Sequence, residues 1–217
     1  MSFPTQYRRT VTDRTSAAGD QSRERLLVVA LDLFAAGGYR GTSIAQIAER
    51  AGLSQSGLLH HFPSKADLLA AALDHRDEVE GHLLEAADGE PAMGWAAFEA
   101  LVELVRRNAA EPRLVRLFVT LSAEAIDPDH PAHRWMVAHY EGVSAWLTAA
   151  IERGKRTGEM DHRMPTRAVV QRTIATMDGL QILWFARGAD VDMAVDFGEY
   201  VDELRHRWAT AITEAAG

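Results

Sequence analysis

The sequence predicts an all-α protein of about nine helices, with a small N-terminal helix-turn-helix head and a larger C-terminal helical body. Three features of the chain carry that reading. Apolar residues recur at spacings of three and four from about Asp20 almost to the C-terminus. No stretch alternates apolar and polar residues as a half-buried strand would. Clusters of Gly, Pro and Asp cut the pattern into pieces of helical length.

Met1 to Gly19 is polar and without periodicity, and is expected to be a disordered tail. Its Arg8, Arg9 and Arg14 are either an arm for DNA or merely solvated. Leu26, Ala30, Leu33 and Phe34 then form a stripe on a first helix that Gly37 and Gly38 should stop. Next, Ile44, Ile47, Ala48 and Ala51 share one face of a short helix. Ser43 stands at its N-cap and Gln46 three residues on, the spacing of a capping box. Gly52 suits the left-handed position that ends such a helix. Ser54 can cap another short helix running to about His61, which Phe62 and Pro63 end. Ser64 caps the one after, with Asp67 in its first turn. Two short helices joined by a glycine turn make a helix-turn-helix, whose second helix enters the DNA major groove. The head is placed at residues 20–65 and the body at 66–217.

Charge supports that division. Up to Lys65 there are 8 Lys and Arg against 5 Asp and Glu, and beyond it 15 against 26. A weakly basic head on an acidic body orients a protein toward DNA by its head. The absence of cysteine excludes disulfides and thiolate metal sites. No apolar run approaches the ~18 residues of a membrane span, and the N-terminus lacks a secretion signal's apolar core. A cytoplasmic location without membrane contact is expected.

The helix begun by Ser64 should continue past Leu68, Leu69, Ala72 and Leu73 to about Ala87 as a strut from head to body, broken by Asp88–Pro91. Trp95, Phe98, Leu101, Val102 and Val105 mark the next helix, ending near Pro112. Leu114, Leu117, Phe118 and Leu121 mark another, ended by the turn Ile126–Pro131. Trp135 to Ala150 is a long helix, and Gly158 and Pro165 bracket a loop. Val170, Ile174, Met177, Gln181 and Trp184 lie on a helix ending near Gly188. Met193, Phe197, Tyr200, Val201, Leu204, Trp208 and Ile212 stripe the last one.

The second helix of the motif carries small or hydrogen-bonding groups, one leucine and no acid. Gln55 is the candidate base reader, since its amide can pair bidentately with adenine, and Leu59 could rest on a thymine methyl. Ser56 and Gly57 would allow close approach. Thr42, His60, His61 and Lys65 are candidate phosphate contacts, with Ser43 beside them at the helix start. His61 has an alternative place, packed beside Phe62. The run LFAAGGYRGTSIAQIAERAG followed by LSQSGLLHHFPSKADLL, within Ser22–Leu69, resembles the DNA-binding domain of TetR-family transcriptional regulators. The resemblance implies DNA contact at these positions. The family usually has tyrosine where this chain has Leu59, so one phosphate contact must come from elsewhere, with His60 or His61 as substitutes.

The resemblance further implies a ligand pocket in the body, for which Phe98, Phe118, Trp135, Tyr140, Trp146 and Met177 are candidates. Asp178 stands in an otherwise apolar stretch, where an unpaired buried carboxylate is too costly. It must find a partner, face a ligand or lie at a wet interface. A homodimer is expected through the last two helices, with Gly179, Phe197, Val201, Leu204 and Trp208 at the interface. His130, His133 and His139 come closest to a metal set, but no carboxylate completes it, so neither metal nor cofactor is expected. No nucleophile–base pair or phosphate loop stands out, and the chain is not expected to be an enzyme. The function expected is that of a repressor on a palindromic double-stranded DNA operator, released by a small, mainly apolar effector. The alternative is an architectural or protein-partnered DNA-binding factor of the same fold.

Overall fold

A computed structural model describes residues 17–81, 84–85 and 89–210. The expected arm residues Arg8, Arg9 and Arg14, and Ile212, lie outside the described residues. Those described form nine α-helices, a 3-10 turn at Gly188–Asp190 and no strand. The helices are α1 (Ala17–Gly41), α2 (Ile44–Ala51), α3 (Gln55–His61), α4 (Lys65–Gly81) and α5 (Trp95–Ala109). They continue with α6 (Pro112–Glu124), α7 (His133–Thr157), α8 (Thr166–Arg187) and α9 (Met193–Trp208).

Two boundaries differ from expectation, while the break of the first helix falls at Gly38 as expected. Helix α1 begins at Ala17, inside the stretch assigned to the tail. It breaks at Gly38, where φ is 71° and ψ 169°, a backbone state open to glycine alone among common residues. Helix α4 ends at Gly81 rather than near Ala87, because a glycine followed by the turn at Gly89–Pro91 stops what hydrophobic spacing alone would have continued.

The described chain forms two compact units. One contains residues 4–79 and 111–138, the other residues 80–110 and 139–217. The first thus holds the head, α4, and also α6, which packs on α1. Leu26, Ala30 and Phe34 of α1, Ile47, Leu58, Leu68, Leu69 and Leu73 are all fully buried. This grouping crosses the sequential division at Lys65, because a contact between α1 and α6 joins segments far apart in the chain. In the second unit α9 lies against α5 and α8. Its core gathers Trp95, Phe98 and Leu101 with Trp146, Leu147, Ile151, Met160, Phe197 and Val201.

The candidate DNA-binding head

The head is built from local hydrogen bonds that its sequence spells out. At the start of α2, the Gln46 N–H donates to Ser43 Oγ at 3.2 Å, and the Ser43 N–H donates to Gln46 Oε1 at 2.8 Å. Both bonds of the capping box are present, satisfying backbone donors that the helix cannot. Ile47 and Ala48 are buried, while Ile44 and Ala51 are half-buried at the edges of that face. Gly52 ends α2 at φ 71° and ψ 29°, and the Leu53 N–H then donates to Ala48 O at 2.8 Å. Ser54 caps α3 by accepting the Gly57 N–H at 3.1 Å. Ser64 does the same for Asp67 at 3.1 Å, while its own hydroxyl donates to the Asp67 carboxylate at 2.8 Å.

Helix α3 turns Leu58 into the core and leaves Gln55, Ser56, His60 and His61 exposed. Leu59 is 42% exposed although apolar. His61 takes the outward position, not the one beside Phe62, and its ring meets that of His60 edge-on at 6.0 Å. Ser56 Oγ lies 3.1 Å from Ser54 Oγ. Gly57 has a role that close approach to DNA does not capture: a Cβ there would stand 3.2 Å from the capping Ser54 Oγ.

Two candidate phosphate contacts are placed otherwise than expected. Thr42 is only 4% exposed. Its hydroxyl sits 2.9 Å from Gly38 O and 3.0 Å from Leu33 O, so it is turned inward onto backbone carbonyls of α1 rather than facing outward. Lys65 is half-buried, and its Nζ donates to Tyr39 O at 2.8 Å and Thr42 O at 2.9 Å. The same ammonium lies 4.3 Å from the centre of the Tyr39 ring. Lys65 therefore clasps the start of α4 to the end of α1 and the turn that leads into α2. Spacing along the chain could not show this, because the contacts cross more than twenty residues. Arg40 and Arg50 are exposed cations near the ends of α1 and α2 that the sequence reading left out; their position in the last turns of these helices was the available signal.

The candidate pocket residues do not gather in one unit. Phe118 and Trp135 belong to the unit of the head; Phe98, Tyr140, Trp146, Met177 and Asp178 belong to the other. Phe118 lies under the Arg76 guanidinium, 5.6 Å from its ring centre. The Trp135 indole donates to Asp74 at 3.0 Å, and burial raises the Asp74 carboxyl above its ordinary range. Phe98 is wholly buried beside Trp95. Asp178 has found a partner, the Tyr140 hydroxyl, which donates to it at 2.7 Å. Burial pushes this carboxyl's pKa up, against the opposing pull of the Tyr140 bond and of His139.

The expected dimer contacts divide as well. Phe197 and Val201 are 0% and 3% exposed within a single chain, so they belong to the protomer's own core and not to an outer face. Helices α5 and α8 of the same chain together absorb the apolar stripe of α9. Leu204 and Trp208 are half-buried against that core, and Gly179 is half-buried on α8. Exposed apolar surface instead lies on α8 at Ile182 and Leu183, 56% and 47% exposed.

Among the described residues, no helix is long and apolar enough to cross a membrane. Of the histidines singled out for metal, His130 Nδ1 accepts the Ala132 N–H and His133 Nδ1 bonds Ala125 O.

Known proteins match the head and, beyond it, most of the chain. The family described as "Bacterial regulatory proteins, tetR family" matches residues 26–72. The HTH-type transcriptional regulator TtgR of Pseudomonas putida is 26% identical over 197 residues, covering 87% of this chain and 92% of that one. RutR of Escherichia coli is 44% identical over 62 residues, 29% of each chain. A TetR-family regulator from Agrobacterium tumefaciens superposes with a TM-score of 0.70 at 25% identity, covering 88% of this chain and 99% of that one. These relatives are transcriptional regulators and not enzymes, they share the head's helix-turn-helix, and the chain is a member of the TetR family of DNA-binding transcriptional regulators.

Proposed function

We propose that the protein is a homodimeric repressor that holds a palindromic operator and is released by a small, mainly apolar effector bound in its helical body. The observation that carries the DNA half is α3, which exposes Gln55, Ser56, Leu59, His60 and His61 with no acidic neighbour on the helix. In this reading Gln55 reads a base, Leu59 rests on a thymine methyl, and His60 and His61 hold phosphates. Ser43, exposed at the start of α2, stands beside the same backbone. A two-fold protein places one α3 in each half-site about one helical turn apart. The exposed Ile182 and Leu183 of α8, with Gly179 on the same helix, supply the surface for a second copy. The functional division is a DNA-reading head over residues 20–65 and an effector-binding, dimerising body over 66–217.

Selection of tight binders from a pool of randomised DNA duplexes tests the reading. An inverted repeat is expected among the selected sites, and a single unrepeated motif bound by one chain would overturn the dimeric half. The selected duplex then serves for competition with apolar compounds, one of which should raise the melting temperature and release the DNA.

A second reading, a DNA-binding factor with no small-molecule effector, has its own supporting observation. Phe98, Phe118, Trp135 and Trp146 are each at most 9% exposed and built into the packing of their units. A compound screen that shifts no melting temperature would favour it.

A further inference from the structure

We propose that His130, in the turn between α6 and α7, is a positioning residue for the DNA-reading head. Its imidazole is buried, 9% exposed, and meets the Tyr39 ring edge-on at 5.7 Å with the planes at 70°. Tyr39 sits in the last residues of α1, just past the break at Gly38, and Lys65 holds it by an ammonium over its ring and a hydrogen bond to its carbonyl. The same ammonium bonds Thr42 O, one residue before the N-cap of α2. Tyr39 is thus held by Lys65 from α4 and by His130 from the α6–α7 turn. The stretch that launches the helix-turn-helix is fixed by two segments remote in sequence. All of them belong to one compact unit.

The imidazole is itself held in place. Nδ1 accepts the Ala132 N–H at 3.2 Å, so in the neutral ring the proton sits on Nε2. Nε2 faces Glu124 Oε2 at 3.4 Å, and neither atom has a hydrogen-bond partner. His130 therefore does two separable things. Its Nδ1 caps the entry to α7, and its ring edge supports Tyr39. Only the second bears on DNA, because the Tyr39 ring that it supports is the one that the Lys65 ammonium covers.

Two substitutions separate these roles. His130→Asn keeps an oxygen that can accept the Ala132 N–H in an Asx turn and removes the ring. His130→Phe keeps a ring edge for Tyr39 and removes the acceptor. Affinity for the duplex selected by the unmodified protein is measured for both, at a temperature where circular dichroism shows each variant folded. The expected result is a loss of about 2–10-fold for His130→Asn, the scale of one aromatic pair, and near-native affinity for His130→Phe even if its melting temperature falls. A double-mutant cycle with Tyr39→Leu supplies the readout that general destabilisation would not move. The His130→Asn penalty should vanish when Tyr39 is already leucine, and Tyr39→Phe should leave it intact. Loss of affinity in His130→Phe with retention in His130→Asn would assign the effect to the α7 cap and overturn the proposal. So would unchanged affinity in both, or penalties that add fully in the cycle.

Discussion

At the scale of single residues, the outward groups of α3 and the inward groups around it answer to different tests. Gln55 is exposed and free of structural duty, so Gln55→Ala should cost ~1–3 kcal/mol on the selected duplex and relax sequence choice at one position per half-site. Competition against single-base variants of that duplex measures this, and an equal loss on every sequence would remove Gln55 as a base reader. Lys65 behaves otherwise, because two of its three N–H donors are already spent on the end of α1 and the turn that leads into α2. Lys65→Ala should weaken binding to all duplexes alike and also lower the head's stability by about 1–3 kcal/mol, the scale of hydrogen bonds to a charged group. A salt slope that flattens with no change in melting temperature would show a phosphate contact alone. Asp178 offers a third case. Burial raises its folded pKa above the unfolded value, so the protein holds that proton more tightly when folded. Stability from this group is full at low pH and declines as pH rises through the unfolded and then the folded value. Asp178→Asn should therefore flatten the stability profile just above the usual carboxylate range. An unaltered profile there would mean the carboxylate costs nothing where it stands.

At the scale of elements, the short helices of the head were legible because their ends are written in local chemistry. Ser43 with Gln46, Ser54 with Gly57, Ser64 with Asp67, and Gly52 all act within four residues, and each stands as the sequence indicates. What local chemistry could not give was the use made of Lys65, Phe197 and Val201. Each side chain's partner comes from an element far away in sequence, and residue type alone does not separate a phosphate-binding lysine from one bonded to a turn. The same limit hid the packing of α6 on α1. Gly52 tests the local half of this account. A Cβ added there meets no atom within 4 Å, so the cost of replacing it is purely that of a positive φ, ~1–2 kcal/mol for an ordinary residue and more when β-branched. Gly52→Asn should therefore be tolerated, since asparagine visits this region readily, whereas Gly52→Val should loosen the head and lose DNA. Equal melting temperatures for the two variants would show that the left-handed backbone is not what the glycine supplies.

For the whole molecule, the buried side chains of α9 change how a dimer must be sought. Phe197 packs at 0% exposure within its own protomer, so Phe197→Glu would place an unpaired charge in that core and unfold the unit before it could report on association. A monomer obtained that way would say nothing about the interface. Ile182 and Leu183 are better probes, because both are about half exposed and charge at either costs the isolated chain little. Scattered exposed apolar residues are ordinary on any surface, but two adjacent ones on a helix that also exposes Ala175 and Ala186 form a surface that a second copy can cover. The doubly substituted Ile182→Glu, Leu183→Glu chain should keep its helical content and melt as a folded protein while its sedimentation mass halves. Its affinity for a single half-site should persist, because α3 and the Lys65 clasp are untouched, while affinity for the full inverted repeat falls toward that of one half-site. A variant that still sediments as a dimer would move the interface off this part of α8. A monomer that still binds the full repeat as tightly as the unmodified protein would separate DNA binding from dimerisation altogether.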